Sequence, residues 1–489
     1  MKLAICASEA FPFCKTGGLA DVVGALSSNL SKSNEVENVV LFLPKYRDIG
    51  KTAFSPKKIT GNFIIPVSDR RETVNLYLVE WGRVKVYLVD NPRYFDRPGL
   101  YRTSSGEFSD NDERFIFFQR AVLEALKFVD FKPDIIFCHD WQTGLIPAYL
   151  KTLYSIDAFF ARTKTVFTIH NIAYQGMFGK ETFVKAGFSW FDFTPDKLEY
   201  YGGINFMKAG INYADIITTV SPSYAKEICE NAQIARGLEG VLNFRKNSLF
   251  GILNGIDTEV WDPATDTFIY KGYDLKTFWR GKPYCKKMFQ KEMGLEQNKN
   301  KILAGCVSRL DWQKGVDMIA DVANRFLDKI QFAVLGSGDK EIADKLRAIA
   351  SAHPSGFVFI EEFNEELAHK IYASSDIFLM PSRFEPCGLS QMIASRYGSI
   401  AVVSRIGGLK DTIFYNPDNL IESNGFSIDL PTQSNLSSML GHIISVYNSK
   451  EIWSNIVKNA MKTDFSWNKS VSEYTALFKK IAGINNNLT

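Results

Sequence analysis

Short runs of apolar residues alternate along the chain with longer stretches whose apolar positions recur every three or four residues. The first run covers residues 3–7, and it is followed by a helix pattern that places Leu19, Val22 and Leu26 on one face. Because the short runs are apolar on both faces, they predict parallel strands that are covered by helices on each side. Further strands are predicted at residues 39–43, 84–89, 135–138, 165–169 and 216–220, with helices at 115–129 and 144–154 between them.

The pattern stops near residue 254 and restarts about fifty residues later. A polar, aromatic stretch runs from there to about Pro283 and predicts a domain boundary. Two consecutive βαβ series predict an α/β protein with two doubly wound, Rossmann-like domains, whose ligands bind beyond the carboxyl ends of the strands. The second series contains strands at 302–307, 332–335, 357–360, 377–380 and 400–403, and a last amphipathic helix at about 471–481.

Composition narrows the class of protein. The 489 residues are 46% hydrophobic and 23% charged, and the net charge of +3 gives no reason to expect nucleic acid or an anionic membrane as a partner. The seven cysteines are scattered and form no CxxC pair, which suits a reducing compartment. No run approaches the roughly 18 apolar residues that span a bilayer. We therefore expect a soluble, cytoplasmic protein.

The loop after the first strand, Lys15-Thr16-Gly17-Gly18, carries the first candidate chemistry. Paired glycines allow a ligand to approach the backbone, and the following helix start offers N–H groups and a partial positive charge to a phosphate. A tight surface turn with a solvated lysine explains the same pattern equally well. The loop alone names no ligand, since it is neither a Walker loop nor a GxGxxG motif.

A loop of the second domain places Arg309 and Lys314 five positions apart, between a strand and a helix. A guanidinium and an ammonium at such a strand end can converge on one polyanion, and Gly315 favours close approach of a ligand. The alternative is that Arg309 pairs with Asp311 while Lys314 is solvated.

The next candidate loop follows the strand at 377–380 and contains Glu385, Cys387 and Gly388. Glu385 can accept hydrogen bonds from sugar hydroxyls, and a helix predicted at 389–397 begins beside it. Cys387 can be interpreted as a nucleophile or as a small packed thiol, and the second is the commoner case. His170 and the segment His139-Asp140-Trp141 also end strands, where structural and functional roles both remain open.

Seven short motifs follow one another along the chain, from the first loop to the middle of the second domain. They are Lys15-Thr16-Gly17-Gly18-Leu19-Ala20-Asp21-Val22, His139-Asp140-Trp141, Thr168-Ile169-His170-Asn171, Asn254-Gly255-Ile256-Asp257, Arg309-Leu310 with Gln313-Lys314-Gly315, Arg383-Phe384-Glu385-Pro386-Cys387-Gly388-Leu389, and Gly407-Gly408-Leu409-Lys410-Asp411-Thr412. This ordered set resembles the bacterial glycogen synthase and plant starch synthase family. The resemblance covers essentially the whole chain.

The resemblance implies the GT-B fold, in which two Rossmann-like domains face each other across a cleft and the last helix crosses back to the first domain. It implies an acceptor-side domain at residues 1–257, a donor domain at 258–467 and the closing helix at 468–489. The implied reaction transfers glucose from ADP-glucose to the non-reducing 4-hydroxyl of an α-1,4-glucan such as glycogen, with retained configuration. Neither a metal nor another cofactor is implied.

Roles for individual residues also follow from the resemblance alone. Arg309 and Lys314 would bind the diphosphate, Glu385 the glucose, and His170 the region of the reacting carbon. These four are the implied catalytic residues. The implied binding residues are Lys15, Gly17, Gly18, Asp140, Asn171, Asn254, Phe363, Cys387, Gly388 and Leu389, with Phe363 against the base and Asp140 near the acceptor.

Two positions depart from the family pattern, and three rival functions remain open. Phe137 stands where the family often has His, and Asn424 stands where Thr is usual. A donor such as UDP-glucose is the nearest rival, because few contacts decide the base. A glucan phosphorylase would need a Schiff-base lysine and a longer chain, and an inactive glucan-binding scaffold would be expected to lose the cations or Glu385.

Overall fold

A β-sheet forms the centre of each of two compact units in the computed structural model, which describes residues 1–51, 54–103, 105–362 and 364–483. Each sheet belongs to its own compact unit. Unit 1 comprises Met1–Gly255 together with the segment that starts at Trp467, and unit 2 comprises Ile256–Ser466. The prediction of two doubly wound α/β units is confirmed.

The sheet of unit 1 contains a parallel part and an antiparallel edge. Its parallel strands, in spatial order, are Leu249–Gly251, Ile216–Thr219, Lys164–Ile169, Ile135–His139, Lys2–Cys6, Asn38–Pro44 and Val84–Asp90. Antiparallel strands Arg70–Trp81, Lys57–Lys58 and Phe63–Val67 extend the edge beyond Val84–Asp90, and the sequence pattern did not predict them. The order of the parallel strands reverses between Lys2–Cys6 and Ile135–His139, so this is the topological switch point.

Helices cover this sheet, and the last helix of the chain belongs to unit 1. That helix, Trp467–Ala482, packs against the first helix, Gly18–Lys32. The other helices are Pro92–Phe95, Asn111–Phe128, Leu145–Lys151, Lys180–Ala186, Phe206–Tyr213, Pro222–Glu230, Ala232–Ala235 and Glu239–Phe244. Two small antiparallel sheets complete the unit. In one, Gly203–Asn205 pairs with both Met177–Phe178 and Glu199–Tyr200, and in the other Arg102–Thr103 pairs with Gly106–Glu107.

The sheet of unit 2 is parallel throughout and has the strand order of a dinucleotide-binding fold. In spatial order its strands are Phe357–Ile360, Ile330–Leu335, Ile302–Val307, Ile377–Met380, Ile400–Ser404 and Phe426–Ile428, which is 3-2-1-4-5-6 along the chain. Its helices are Phe278–Glu292, Val316–Ala323, Lys340–Ala352, Glu365–Ser374, Ser390–Arg396, Gly407–Thr412, Gln433–Tyr447 and Lys450–Lys462. The switch point lies between Ile302–Val307 and Ile377–Met380.

One sequence-based expectation is wrong in this unit. The boundary stretch does not run to Pro283, because Pro283 lies inside the helix Phe278–Glu292. Two lysines of this helix are buried, and they interrupt the apolar pattern by which its buried face could be recognised in the sequence. The ammonium of Lys282 donates to the carbonyl oxygens of Ala373 and Tyr397 at 3.1 and 3.0 Å, while Lys286 forms an ion pair of 2.6 Å with Asp376. These partners satisfy charges that would otherwise disfavour burial.

Candidate active site

Two predicted site residues of unit 2 meet at its topological switch point. The loops after Ile302–Val307 and Ile377–Met380 bring the Nζ atom of Lys314 to 2.7 Å from Oε2 of Glu385. The side chain of Glu385 is only 6% exposed and that of Lys314 is 20% exposed, so this ion pair is largely screened from water. Ser382 Oγ donates to the same carboxylate oxygen at 3.3 Å. The sequence-based alternative of a solvated Lys314 is therefore wrong.

Gly315 allows the two loops to approach each other this closely. Its backbone is left-handed, with φ +68°, and a Cβ atom at this position would lie 2.1 Å from the carbonyl oxygen of Pro381. Hydrogen bonds join the loops on either side of this contact. Gln313 Nε2 donates to the Phe384 carbonyl at 2.9 Å, and the Arg383 N–H donates to the Gln313 carbonyl at 2.8 Å.

Arg309 lies on the same loop as Lys314 but in a more open environment. Its side chain is 58% exposed, and its guanidinium lies 3.7 Å from Asp311. The predicted pairing with Asp311 is thus present as a loose contact. An exposed ion pair of this kind contributes at most about 1 kcal/mol, so a polyanion can displace the carboxylate at small cost.

The loop that carries Glu385 is anchored by the two helices that follow it along the chain, Ser390–Arg396 and Gly407–Thr412. The Gly408 N–H donates to the carbonyl oxygens of Glu385 and Pro386 at 3.3 and 3.1 Å. Gln391 Nε2 donates to the Cys387 and Gly388 carbonyl oxygens at 3.0 and 3.1 Å. Cys387 is buried, and Leu389 is the residue from which the helix Ser390–Arg396 begins. These bonds hold the backbone that follows Glu385 in one conformation.

In unit 1 the glycine loop is held by a carboxylate that the sequence analysis did not single out. The buried side chain of Glu9 accepts hydrogen bonds from the backbone N–H groups of Thr16 and Gly17 and from the hydroxyl of Tyr101. Burial raises the pKa of Glu9, although these hydrogen bonds oppose the shift. Glu9 thus uses the N–H groups of Thr16 and Gly17, which precede the helix start at Gly18. The only sequence signal for it was a carboxylate eight residues before the glycine pair.

The rest of this loop is open. Cβ atoms built at Gly17 and Gly18 would meet no atom within 4 Å, so the glycines leave space above the backbone. Lys15 is exposed, as the alternative of a surface lysine predicts, and its Nζ lies 2.6 Å from Asp21 Oδ1.

Asp140 follows the strand on the other side of the switch point of unit 1. Its backbone has φ +56°, and its Oδ1 accepts the N–H of His170 at 2.8 Å. Burial raises the pKa of Asp140 to about 7, against the effect of backbone hydrogen bonds from His170 and Asn171 and with a smaller contribution from the charge of Glu9. Asp140 thus fixes the start of the segment that contains His170.

The imidazole ring of His170 contacts a second histidine. His139 Nδ1 and His170 Nε2 are 2.8 Å apart, and His139 is completely buried. Burial lowers the pKa of His170 to about 3 and that of His139 well below its usual range. Both rings are therefore neutral at physiological pH.

Three predicted site residues remain, and the structure describes two of them. Asn171 Oδ1 accepts the Ala173 N–H at 3.0 Å and so shapes its own loop. Asn254 is buried near the end of the first segment of unit 1. Phe363 lies outside the described residues. Nowhere in the described ranges do three or more His, Cys, Asp or Glu side chains gather closely enough to hold a metal ion.

Known protein families match both units of this chain. A family model described as starch synthase catalytic domain matches residues 2–244, and one described as glycosyl transferases group 1 matches residues 301–429. The chain is 50% identical to a glycogen synthase of Elusimicrobium minutum (strain Pei191) over 481 residues, which cover 98% of this chain and 99% of that protein.

This chain belongs to the glycogen synthase and starch synthase family.

Other relatives extend the comparison to solved structures. A glycogen synthase of Geotalea uraniireducens (strain Rf4) is 43% identical over 98% of both chains. The catalytic domain of starch synthase IV from Arabidopsis thaliana, bound to ADP and acarbose, is 32% identical with a TM-score of 0.90 over 99% of both chains. Sucrose-phosphate synthase from Thermosynechococcus elongatus has a TM-score of 0.60 at 14% identity, covering 99% of this chain and 100% of that one, and shares the fold alone. The fold is GT-B, and the chain is a glycosyltransferase.

Both positions that depart from the family pattern are buried. Phe137 is completely buried, and its ring lies 5.3 and 5.2 Å from the rings of Tyr474 and Phe478 on the last helix. Asn424 is also buried. It accepts the Phe414 N–H at 2.7 Å and donates to the Thr412 carbonyl at 3.1 Å.

Among the described residues, every helix is too short or too polar to cross a membrane.

Proposed function

We propose that this glycosyltransferase moves glucose from ADP-glucose to the non-reducing 4-hydroxyl of an α-1,4-glucan, with retention of configuration. The observation that carries the proposal is the pair formed by Lys314 and Glu385 at the switch point of unit 2, with Arg309 on the same loop. A doubly wound sheet binds its ligand at this place. The ADP and acarbose in the Arabidopsis starch synthase structure support a nucleotide donor and a saccharide acceptor.

The chemistry of transfer suits the residues of unit 2. A diphosphate is a good leaving group, so its departure needs cations at the oxygens that gain charge more than it needs a general acid. Lys314 and Arg309 supply two such cations from one loop. Glu385, held by Ser382 and by the anchored backbone behind it, accepts hydrogen bonds from glucose hydroxyls. Cys387, Gly388 and Leu389 complete the glucose site with their backbone.

Residues of unit 1 have separate proposed roles. Lys15, Gly17 and Gly18 contact the donor, and the open space above the two glycines supports this role. His170 contacts the glucose near its reacting carbon. The remaining proposed binding residues of this unit are Asp140, Asn171 and Asn254.

Retention is proposed to occur by attack on the same face from which the diphosphate leaves. A double displacement would need one carboxylate as nucleophile and a second about 5–5.5 Å away. In unit 1 the buried carboxyls Glu9 and Asp140 accept backbone N–H groups, so both are used in holding loops. Trapping a covalent glucosyl-enzyme would contradict the proposed mechanism.

The donor and acceptor are tested in one assay. The protein is incubated with glycogen and either ADP-glucose or UDP-glucose, in the presence of EDTA, while release of the nucleoside diphosphate and growth of the glucan are measured. We expect elongation with ADP-glucose. Preference for UDP-glucose would refute ADP-glucose as the donor. A strict requirement for added Mg²⁺ would refute the proposal that Arg309 and Lys314 supply the cations that the leaving diphosphate needs. If neither donor supports elongation, the proposed transfer is refuted and only glucan binding is left.

The role of the two cations is tested by substitution. Lys314→Ala and Arg309→Ala should each lower kcat by about 10²–10³-fold, because each removes a charge that stabilises the transition state. Lys329→Ala is a suitable control, since Lys329 lies in the same unit, is 63% exposed and contacts only Asp328 at 3.9 Å in the described ion pairs. Turnover of either site variant equal to that of the control would contradict the assigned role.

A further inference from the structure

Two imidazole rings meet at the carboxyl ends of neighbouring parallel strands in unit 1. His139 ends the strand Ile135–His139, and His170 follows directly after Lys164–Ile169. The 2.8 Å between His139 Nδ1 and His170 Nε2 is a hydrogen-bond distance, so one of these atoms carries a proton and the other offers a lone pair. Because both rings are neutral, each has a single proton to place.

Only two arrangements put one proton into this contact. In the first, His139 Nδ1–H donates to His170 Nε2, and His170 then carries its own proton on Nδ1. In the second, His170 Nε2–H donates to His139 Nδ1, and the proton of His139 lies on Nε2. The two arrangements differ in what His170 offers to a ligand, which is an N–H donor in the first and a lone pair in the second.

The surroundings of His139 decide between them. His139 Nε2 is buried and has no hydrogen-bond partner among the residues that the structure describes. The ring of Phe137 packs against it, with centroids 4.3 Å apart, and provides no acceptor oxygen or nitrogen. A buried N–H without an acceptor is rarer in folded proteins than a buried acceptor without a donor. The first arrangement is therefore favoured.

We propose that His139 is a positioning residue that holds His170 in the tautomer with its proton on Nδ1, so that His170 acts as a neutral hydrogen-bond donor. A fixed N–H suits a sugar oxygen, and it neither transfers a proton nor changes charge near neutral pH. The significance for catalysis rests on the proposed contact between His170 and the glucose. The tautomer itself does not depend on that function.

Nitrogen NMR on protein labelled with ¹⁵N only in histidine tests the tautomer directly. The chain has five histidines, so the spectrum is simple, and His139→Asn and His170→Asn assign the two rings. His369 provides an internal reference, because its Nδ1 lies 2.7 Å from Asp266 Oδ2 and must carry a proton to donate there. We expect protonated Nδ1 and bare Nε2 in both His139 and His170. A proton on Nε2 of either ring would overturn the proposal. The spectrum that decides this is recorded on the unmodified protein, so the result does not depend on the folding of a variant.

The control exerted by His139 is tested by removing its donor while keeping an aromatic ring. In His139→Phe we expect the proton of His170 to populate Nε2 and kcat to fall by about tenfold or more, with the KM for ADP-glucose within about twofold. His139→Asn restores a donor close to the position of Nδ1 and should recover part of the loss. An unchanged tautomer of His170 in His139→Phe would overturn the positioning role. Failure of glucosyl transfer from ADP-glucose would instead concern the proposed function and would leave the NMR result intact.

Discussion

Replacing Gly315 by alanine should disable the donor site without removing any charged group. Gly315 follows Lys314 directly and has a left-handed backbone at φ +68°. The alanine Cβ would lie 2.1 Å from the carbonyl oxygen of Pro381, in the loop that carries Glu385. The substitution therefore separates the two loops whose contact brings Lys314 and Glu385 together.

The size of the effect follows from this geometry. A left-handed backbone costs a residue with a side chain roughly 1–2 kcal/mol. Relief of the contact requires a movement of roughly 1 Å or more, because non-bonded heavy atoms prefer about 3.5 Å. A displacement of this size would lengthen the 2.7 Å contact between Lys314 and Glu385 beyond hydrogen-bonding distance. Misplacement of catalytic groups by about 1 Å lowers turnover by about 10²-fold, and we expect a loss of this order in kcat.

A second glycine separates the strain of the backbone from the displacement of the loops. Gly294 has nearly the same φ, +71°, but a Cβ there would meet no atom within 4 Å. Gly294→Ala should lower the melting temperature slightly and leave kcat unchanged. Both variants are assayed by ADP release from ADP-glucose with glycogen as acceptor, alongside thermal melting. If kcat of Gly315→Ala stays within about threefold of that of Gly294→Ala, the reasoning is refuted.

Two further predictions concern unit 1. The pKa of Asp140, about 7 in the folded protein and about 4 in an unfolded chain, means that stability is lost as pH rises through this interval. Asp140→Asn should weaken the dependence of the melting temperature on pH between pH 5 and 8. An unchanged dependence would contradict this. Phe137→Ala should destabilise the protein by about 3–5 kcal/mol in thermal or urea unfolding. This loss of stability should exceed the loss caused by Phe191→Ala, because Phe191 is 87% exposed. Equal losses in the two variants would contradict the packing role of Phe137.

Much of the fold could be predicted because strands buried on both faces leave an unmistakable pattern. Ile302–Val307, Phe357–Ile360 and Ile377–Met380 have the bounds expected from their apolar runs. The same pattern located the loops at the strand ends, and with them Lys314 and Glu385. The antiparallel edge around Arg70–Trp81 was missed, since one of its faces is largely solvated and its alternation is irregular.

Local rules failed where long-range partners satisfy polar groups. The helix Phe278–Glu292 looks like a polar linker because Lys282 and Lys286 point inward. Apart from the Lys301 carbonyl, the acceptors of these two lysines lie 90 or more residues away along the chain. Glu9 shows the same limitation at the site. Its hydrogen bonds with Thr16 and Gly17 are local, but nothing in the sequence indicates that the carboxylate would be buried beneath the loop.

The amino-acid sequence by itself determined the two βαβ series, the position of each glycine loop and the types of residue that occupy them. Hydrophobic periodicity and turn preferences act over a few residues, so they can be recognised without the fold. Only the tertiary structure decided which loops meet. Lys314 and Glu385 are 71 residues apart and His139 and His170 are 31 apart, and each pair is joined because its two strands are neighbours at a sheet. Strand order is set by packing of the whole unit, and no local pattern encodes it.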